Sequence, residues 1–153
     1  MADSRPPGKP RAGSEQGMPQ QACPTARNGK GFGRMIRALG CSVRGLRAAI
    51  ATEAAFRQEL ALAAVLIPVA ALAPFSPVER VMLMGSMLLV LVVELLNSAV
   101  EKTLDRVSVE EHPLTGAAKD MASAAVLIAL LLLALTWLAI AGPVLLGMIL
   151  PSA

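Results

Sequence analysis

Five of the polar residues between positions 94 and 105 recur at helical spacing in a largely apolar stretch of the chain. Counted as a helix at about 100° per residue, they share one stripe roughly 100° wide. They are Glu94, Asn97, Ser98, Glu101 and Asp105. The other faces carry Leu, Val, Met and Ala, which lipid tolerates. Because a charged carboxylate at membrane depth costs about 2.5 kcal/mol or more, the stripe is expected to face protein, water or a metal ion.

These residue types suit phosphoryl transfer at a membrane surface. Carboxylate oxygens bind Mg²⁺ that bridges to phosphate oxygens, and Lys119 with nearby arginines can neutralise phosphate charge. Glu94 lies roughly 10 Å deeper than Glu101 along a helix, where a recessed carboxylate can act as general base toward a lipid hydroxyl. Phosphoryl transfer needs mainly positioning and charge neutralisation. A small helix bundle can therefore carry it, although the sequence has neither a Walker loop nor a kinase glycine-rich loop.

The composition indicates a membrane protein. The 153 residues are 55% hydrophobic and 16% charged, with a mean hydropathy of +0.61, which is too apolar for an ordinary soluble domain. The net charge is only +3, and the basic residues lack interleaved aromatics, so no nucleic-acid partner is expected. Cys23 and Cys41 fit neither a zinc site nor a disulfide framework. The polar first thirty residues predict no cleavable signal peptide.

The chain is predicted to contain four regions. Residues 1–31, rich in Pro, Gly and Ser, are expected to form a disordered tail. Residues 32–50 repeat apolar side chains at helical spacing opposite Arg34, Arg37, Arg44 and Arg47, which predicts an amphipathic helix at the membrane interface. Residues 51–142 form the transmembrane domain, and residues 143–153 an apolar extension.

Three membrane spans are expected within that domain. The first enters from about Glu53 and ends at the turn formed by Pro74 to Pro77. The second runs from about Val81 to Leu104. The third begins near Ala117 and reaches about Ala141, where Gly142 and Pro143 close or kink the helix.

The basic residues predict the orientation. Ten of the fourteen Lys and Arg residues precede position 58, and three lie between positions 102 and 119. The positive-inside rule puts both regions in the cytoplasm, where both cysteines are expected to be free thiols. One interfacial level then carries Glu53, Glu101, Asp105, Lys119 and Asp120.

Four stretches resemble the small prokaryotic diacylglycerol kinases, which are integral membrane proteins. They are Glu53-Ala-Ala-Phe-Arg-Gln-Glu59, Val93-Glu-Leu-Leu-Asn-Ser-Ala-Val-Glu101, Asp105-Arg106, and His112-Pro-Leu-Thr-Gly-Ala-Ala-Lys-Asp-Met-Ala-Ser-Ala-Ala-Val126. The resemblance extends from about residue 31 to residue 141. It implies an all-α membrane protein, with a surface helix and three transmembrane helices per subunit, assembled as a homotrimer in a bacterial inner membrane. The N-terminus would be cytoplasmic and the C-terminus periplasmic.

The resemblance also implies an activity and its residues. The γ-phosphate of ATP, bound as Mg-ATP, would pass to diacylglycerol to give phosphatidic acid. Glu94 matches the family's catalytic base, and Glu53 and Glu101 match its Mg²⁺ ligands. The positions matching nucleotide-binding residues are Arg34, Arg37, Arg44, Asn97, Asp105, Gly116, Lys119, Asp120 and Ser123. Those matching lipid-binding residues are Gln58, Glu59 and Ser98.

Two departures and two alternatives accompany this interpretation. Cys41 and Val43 stand where family relatives carry aromatics, and the two terminal extensions fall outside the pattern. An undecaprenol kinase of the same fold is the alternative within this class. A small cation or proton transporter subunit is the alternative from another class, because intramembrane acids also mark ion pathways. A transporter would need acids near the midplane with access from both sides, whereas these acids lie in the cytoplasmic half.

Overall fold

The computed structural model describes residues 32–107 and 112–149, apart from the side chains at 145, 148 and 149. The described chain is helical: α1 spans Phe32–Thr52, α2 Ala54–Leu72, α3 Pro77–Val107 and α4 Pro113–Ile149. Three of these helices, α2 to α4, are long and apolar enough to cross a membrane. The predicted all-α fold with three membrane-spanning helices is confirmed. The trimer stays a prediction, and the predicted tail at 1–31 lies outside the described residues.

The chain divides after Cys41 into two compact units. The described part of the first unit is the N-terminal half of α1. Its apolar side chains are exposed, as the predicted interfacial helix requires; Phe32, Met35, Ile36 and Leu39 each expose more than half of their surface. Cys41 is disulfide-bonded, so the prediction of a free thiol, which rested on compartment alone, is wrong for it. Cys23 lies outside the described residues.

The second unit, Ser42–Ala153, is organised around α3, which packs against both α2 and α4. One cluster buries Ala63 of α2, Met87 and Val90 of α3, and Ala129 and Leu133 of α4. A second cluster, centred on Ala70, Phe75, Leu83 and Ala141, continues the same contact toward the α2–α3 turn. Small residues on α2 and α4 let the helices approach closely, which is how membrane helices associate.

The α2–α3 turn is closed by a reciprocal cap. The Ser76 backbone N–H donates to Glu79 Oε2 at 2.8 Å, and the Glu79 backbone N–H donates to Ser76 Oγ at 3.4 Å. This is a capping box, in which two unpaired donors at a helix start satisfy each other's side chains. Pro77 follows as the first residue of α3, where its missing N–H costs nothing. The two prolines predicted this turn correctly.

The fourth helix differs from its prediction at both ends. It begins at Pro113 rather than near Ala117, because His112 caps it: the Leu114 backbone N–H donates to His112 Nδ1 at 3.2 Å. It also continues through Pro143 to Ile149, past the predicted end near Ala141, so Gly142 and Pro143 do not close it. A proline inside a membrane helix is tolerated where neighbouring groups satisfy the freed backbone.

Packing between α2 and α3 yields a stability prediction. Ala63 is only 2% exposed against Met87 and Val90, so Ala63→Leu should overpack this contact and lower the free energy of unfolding by about 1–3 kcal/mol. Unfolding in mixed micelles can be followed by the fluorescence of Trp137, the single tryptophan. The control is Ala61→Leu, an exposed position on the same helix. Wild-type stability for Ala63→Leu would contradict the packing described.

Candidate active site

The polar stripe of α3 is the continuation of its packing face. Leu83, Met87 and Val90 are fully buried in the apolar part, and Glu94 and Ser98 follow on the same face with 4% and 5% exposure. These five positions fall within roughly 80° at 100° per residue. The helix that packs the bundle therefore aims a carboxylate and a hydroxyl into its interior. For Glu94 and Ser98, this burial is consistent with the prediction that the stripe faces protein, water or a metal ion, whereas Asp105 of the same stripe is exposed.

A second carboxylate meets Glu94 from α2. Glu59 is 9% exposed, on the face of α2 that also buries Phe56 and Ala63. It lies close enough for electrostatic repulsion between the two carboxylates. Glu59 Oε2 is buried and has no hydrogen-bond partner among the described residues. An acceptor of this kind is suited to a hydroxyl group from outside the chain, since buried polar atoms are normally paired.

Asn97 links the buried acid to the acid nearer the helix end. Its Nδ2 donates to Glu101 Oε1 at 3.2 Å, and its side chain lies near enough to Glu94 to interact with that carboxylate. Glu101 and Glu53 both lie within electrostatic range of Glu94. Glu94 therefore has two further carboxylates within electrostatic range, one from the α1–α2 break and one from its own helix.

Glu53 sits at the single-residue break between α1 and α2. Its backbone is extended, at φ −101° and ψ 115°, and its side chain does not cap α2. Instead its Oε1 binds Lys102 Nζ of α3 at 2.6 Å and the Thr52 hydroxyl at 2.9 Å. These two hydrogen bonds, the Lys102 bond being the stronger, hold the pKa of the Glu53 carboxyl below its ordinary value. Glu53 is thus a carboxylate at neutral pH.

A second ion pair closes the gap between α3 and α4. Lys119 Nζ lies 2.5 Å from Asp105 Oδ1, and the two side chains are 41% and 64% exposed. The pair brings the last turns of α3 to the first turns of α4. An exposed pair of this kind is worth little stability, about 0–1 kcal/mol, so its ammonium remains available to another anion.

The remaining predicted site residues lie on exposed parts of the helices. Arg34 and Arg37 belong to the first unit and are exposed on α1. Exposed positions in the second unit are Arg44, Gln58, Gly116, Asp120 and Ser123. Gly116 is helical rather than part of a loop, because α4 starts at Pro113. The roles given to these residues stay predictions.

Sequence reasoning missed two residues that contact Glu53. Thr52 and Lys102 are 50 positions apart, and Lys102 Nζ lies 2.8 Å from the Thr52 hydroxyl. The sequence did offer one indication that Lys102 belongs to the site: it is the neighbour of Glu101, at the predicted interfacial level. Its pairing with Glu53 depends on how α3 packs beside α2, and periodicity within one helix does not contain that information.

The donor set fits a divalent cation that arrives with phosphate. Among residues 32–107 and 112–149, no three His, Cys, Asp or Glu side chains converge as a ready-made metal site. Mg²⁺ keeps several waters and is commonly held by one or two carboxylates plus substrate phosphates. Glu53 and Glu101, both near Glu94 and both only partly exposed, provide two such carboxylates.

Comparison with known proteins identifies a family for most of the chain. The sequence profile of the prokaryotic diacylglycerol kinase family matches residues 40–141. The chain is 48% identical over 112 residues to the diacylglycerol kinase of Escherichia coli K12, covering 73% of this chain and 92% of the relative. It is 52% identical over 107 residues to the diacylglycerol kinase of Pseudomonas aeruginosa, covering 70% and 87% respectively.

The Glu53–Lys102 contact predicts a pH dependence. Because the folded pKa of Glu53 is lowered, the contact stabilises the protein above the unfolded pKa and is lost as pH falls through the folded value. Carboxyl-carbon NMR should give Glu53 a midpoint below that of a model glutamate, and Lys102→Met should raise it. Equal midpoints in the wild type and in Lys102→Met would contradict the contact.

Proposed function

The chain belongs to the prokaryotic diacylglycerol kinase family, and on that premise we propose that it transfers the γ-phosphate of ATP to the free hydroxyl of diacylglycerol, giving phosphatidic acid. The observation that carries the residue assignment is the burial of Glu94 on the packing face of α3, beside a second buried acid and below two partly exposed ones. Family membership supports a membrane-embedded, ATP-dependent lipid kinase. The acceptor, the metal and the residue roles are proposals.

In the proposed mechanism the site divides by depth. Glu94 is the general base that accepts the proton of the lipid hydroxyl as the lipid oxygen attacks the γ-phosphorus and ADP leaves. The acceptor hydroxyl is held by the buried carboxylate of Glu59 and the hydroxyl of Ser98, both on the helix faces that meet around Glu94. Asn97, which lies beside Glu94 and donates to Glu101, is proposed to orient the two carboxylates. Burial restricts water, which would otherwise compete with the lipid as acceptor.

The nucleotide is proposed to bind at the outer end of the stripe. Glu53 and Glu101 would hold Mg²⁺, which when bound neutralises charge on the transferred phosphoryl group. Lys119, paired with Asp105 at 2.5 Å, is a cation that a phosphate oxygen can recruit. Arg34, Arg37 and Arg44 are proposed to contribute positive charge to the same nucleotide.

The exposed residues are proposed to complete sites between subunits. Gln58, Gly116, Asp120 and Ser123 lie at the polar end of α2 and α4 and are exposed in one chain. Long apolar stretches of the spans are exposed as well, including Val65, Leu96 and Leu131. A homotrimer would cover part of that surface. These polar residues would then line substrate sites formed between neighbouring subunits. Lipid would cover the remainder, in a bacterial inner membrane with the site facing the cytoplasm.

The acceptor is tested by a panel of lipid alcohols. Purified protein with radiolabelled Mg-ATP should phosphorylate diacylglycerol at a kcat/KM at least about tenfold above that for undecaprenol. Faster transfer to undecaprenol would replace the proposed acceptor with that alternative. Transfer to none of the lipids would contradict the kinase assignment and leave the transporter hypothesis to be tested.

Replacing the proposed base should remove turnover without unfolding the protein. Glu94→Gln keeps the side-chain shape but cannot accept a proton, so kcat should fall by about 10²- to 10⁴-fold. Glu79→Gln is the matched control, because the same substitution at the opposite end of α3 preserves its capping box. A Glu94→Gln variant with more than a tenth of wild-type kcat would exclude this residue as the base.

Removing either proposed metal ligand should raise the Mg²⁺ requirement. Glu53→Ala or Glu101→Ala leaves one carboxylate where Mg-ATP is proposed to bind, so the Mg²⁺ concentration for half-maximal rate should rise about tenfold or more. Glu79→Ala serves as control for the loss of an acid from α3. If titrations of both variants overlay that of the wild type, the metal assignment is wrong.

A further inference from the structure

The Lys102 ammonium is bound to the carboxylate of Glu53, which is one of the two proposed Mg²⁺ ligands. Lys102 Nζ lies 2.6 Å from Glu53 Oε1 and 2.8 Å from Thr52 Oγ1, while that hydroxyl lies 2.9 Å from the same carboxylate oxygen. The three atoms form a closed triangle. The Thr52 hydroxyl also lies within hydrogen-bond distance of the Ala48 carbonyl oxygen, at 3.0 Å. The Lys102 ammonium thus contacts both the carboxylate and the hydroxyl.

The surroundings explain why a cation is needed at this point. Glu53 and Glu101 each lie near enough to Glu94 to repel its carboxylate. Arg57 also acts electrostatically on Glu53, but its Nη1 donates to the Ile50 carbonyl at 3.1 Å, so its guanidinium is engaged with the end of α1. Lys102 is the cation that directly contacts a carboxylate of this cluster in the part of the chain that the structure describes.

We propose that Lys102 is a resident counter-ion of Glu53 that gives way to the divalent cation when Mg-ATP binds. Until then it keeps the acid cluster from taking up a free divalent ion. The proposal rests on the assignment of Glu53 to the metal in the proposed function. Lys102 acts here through Glu53, so it is a positioning residue for the metal and not a group that touches the reacting atoms.

The geometry suits exchange rather than permanent pairing. The Lys102 side chain is 52% exposed and that of Glu53 22% exposed, so solvent and a solute cation can reach the contact. Exposed ion pairs are worth about 0.2–1 kcal/mol. A lysine ammonium on a flexible four-carbon stem can swing away at small cost, whereas a bidentate guanidinium would be harder to displace.

Binding of Mn²⁺ without nucleotide isolates this role. Full-length protein in phosphatidylcholine nanodiscs is titrated with Mn²⁺, and the free ion is measured by electron paramagnetic resonance. Lys102→Met should bind Mn²⁺ about two- to fivefold more tightly than the wild type, the factor that corresponds to one exposed ion pair. Lys102→Gln should behave alike, and Lys102→Arg should restore an affinity at or below that of the wild type.

The control is Arg106→Met, which removes a positive charge one turn further along α3. Its Mn²⁺ affinity should equal that of the wild type. The proposal is overturned if Lys102→Met and Lys102→Gln bind Mn²⁺ no more tightly than the wild type, or if Arg106→Met gains as much. A lipid-kinase assay on the same wild-type sample separates the two ideas, because absent phosphate transfer would count against the proposed function whatever the Mn²⁺ affinities.

Discussion

One face of α3 carries both the residues that hold the bundle together and the acid at its centre. Leu83, Met87 and Val90 fill the apolar part of that face, and Glu94 and Ser98 continue it one and two turns further on. A rotation of α3 that exposed Glu94 to lipid would also expose the packing residues. Because burying apolar contacts and keeping a carboxylate away from lipid require the same orientation, each constraint reinforces the other.

The same orientation of α3 places charged side chains at two depths in the bundle. Glu59 from α2 meets Glu94 in the interior, whereas Glu53 and Lys102 meet nearer the helix ends. The break at Glu53 makes this possible, because a residue with extended backbone directs its side chain toward α3 instead of along α2. The roles proposed for these acids, the deep ones toward a hydroxyl and the outer ones toward a hydrated cation, would match the two substrates of a lipid kinase, one from the membrane and one from water.

Much of the helical architecture could be predicted from the spacing of apolar and polar residues in the sequence. The stripe from Glu94 to Asp105 and the membrane spans follow from spacing and hydropathy within single helices. The early start of α4 was missed because Pro113 looked like part of a loop, although proline is favoured in a first helical turn. The Thr52–Glu53–Lys102 contact was missed for a deeper reason: it joins residues 50 positions apart, and only packing of α3 beside α2 brings them together.

The most direct test of the account is to locate the nucleotide along α3. The Mn²⁺ complex of a non-hydrolysable ATP analogue broadens NMR signals with a steep dependence on distance, so it reads depth. With isotope-labelled protein in nanodiscs, amide broadening should be strongest at Glu101, weaker at Glu94 and absent at Ser86. Uniform broadening along α3, or broadening centred on Ser86, would contradict a nucleotide site at the outer end of the polar stripe.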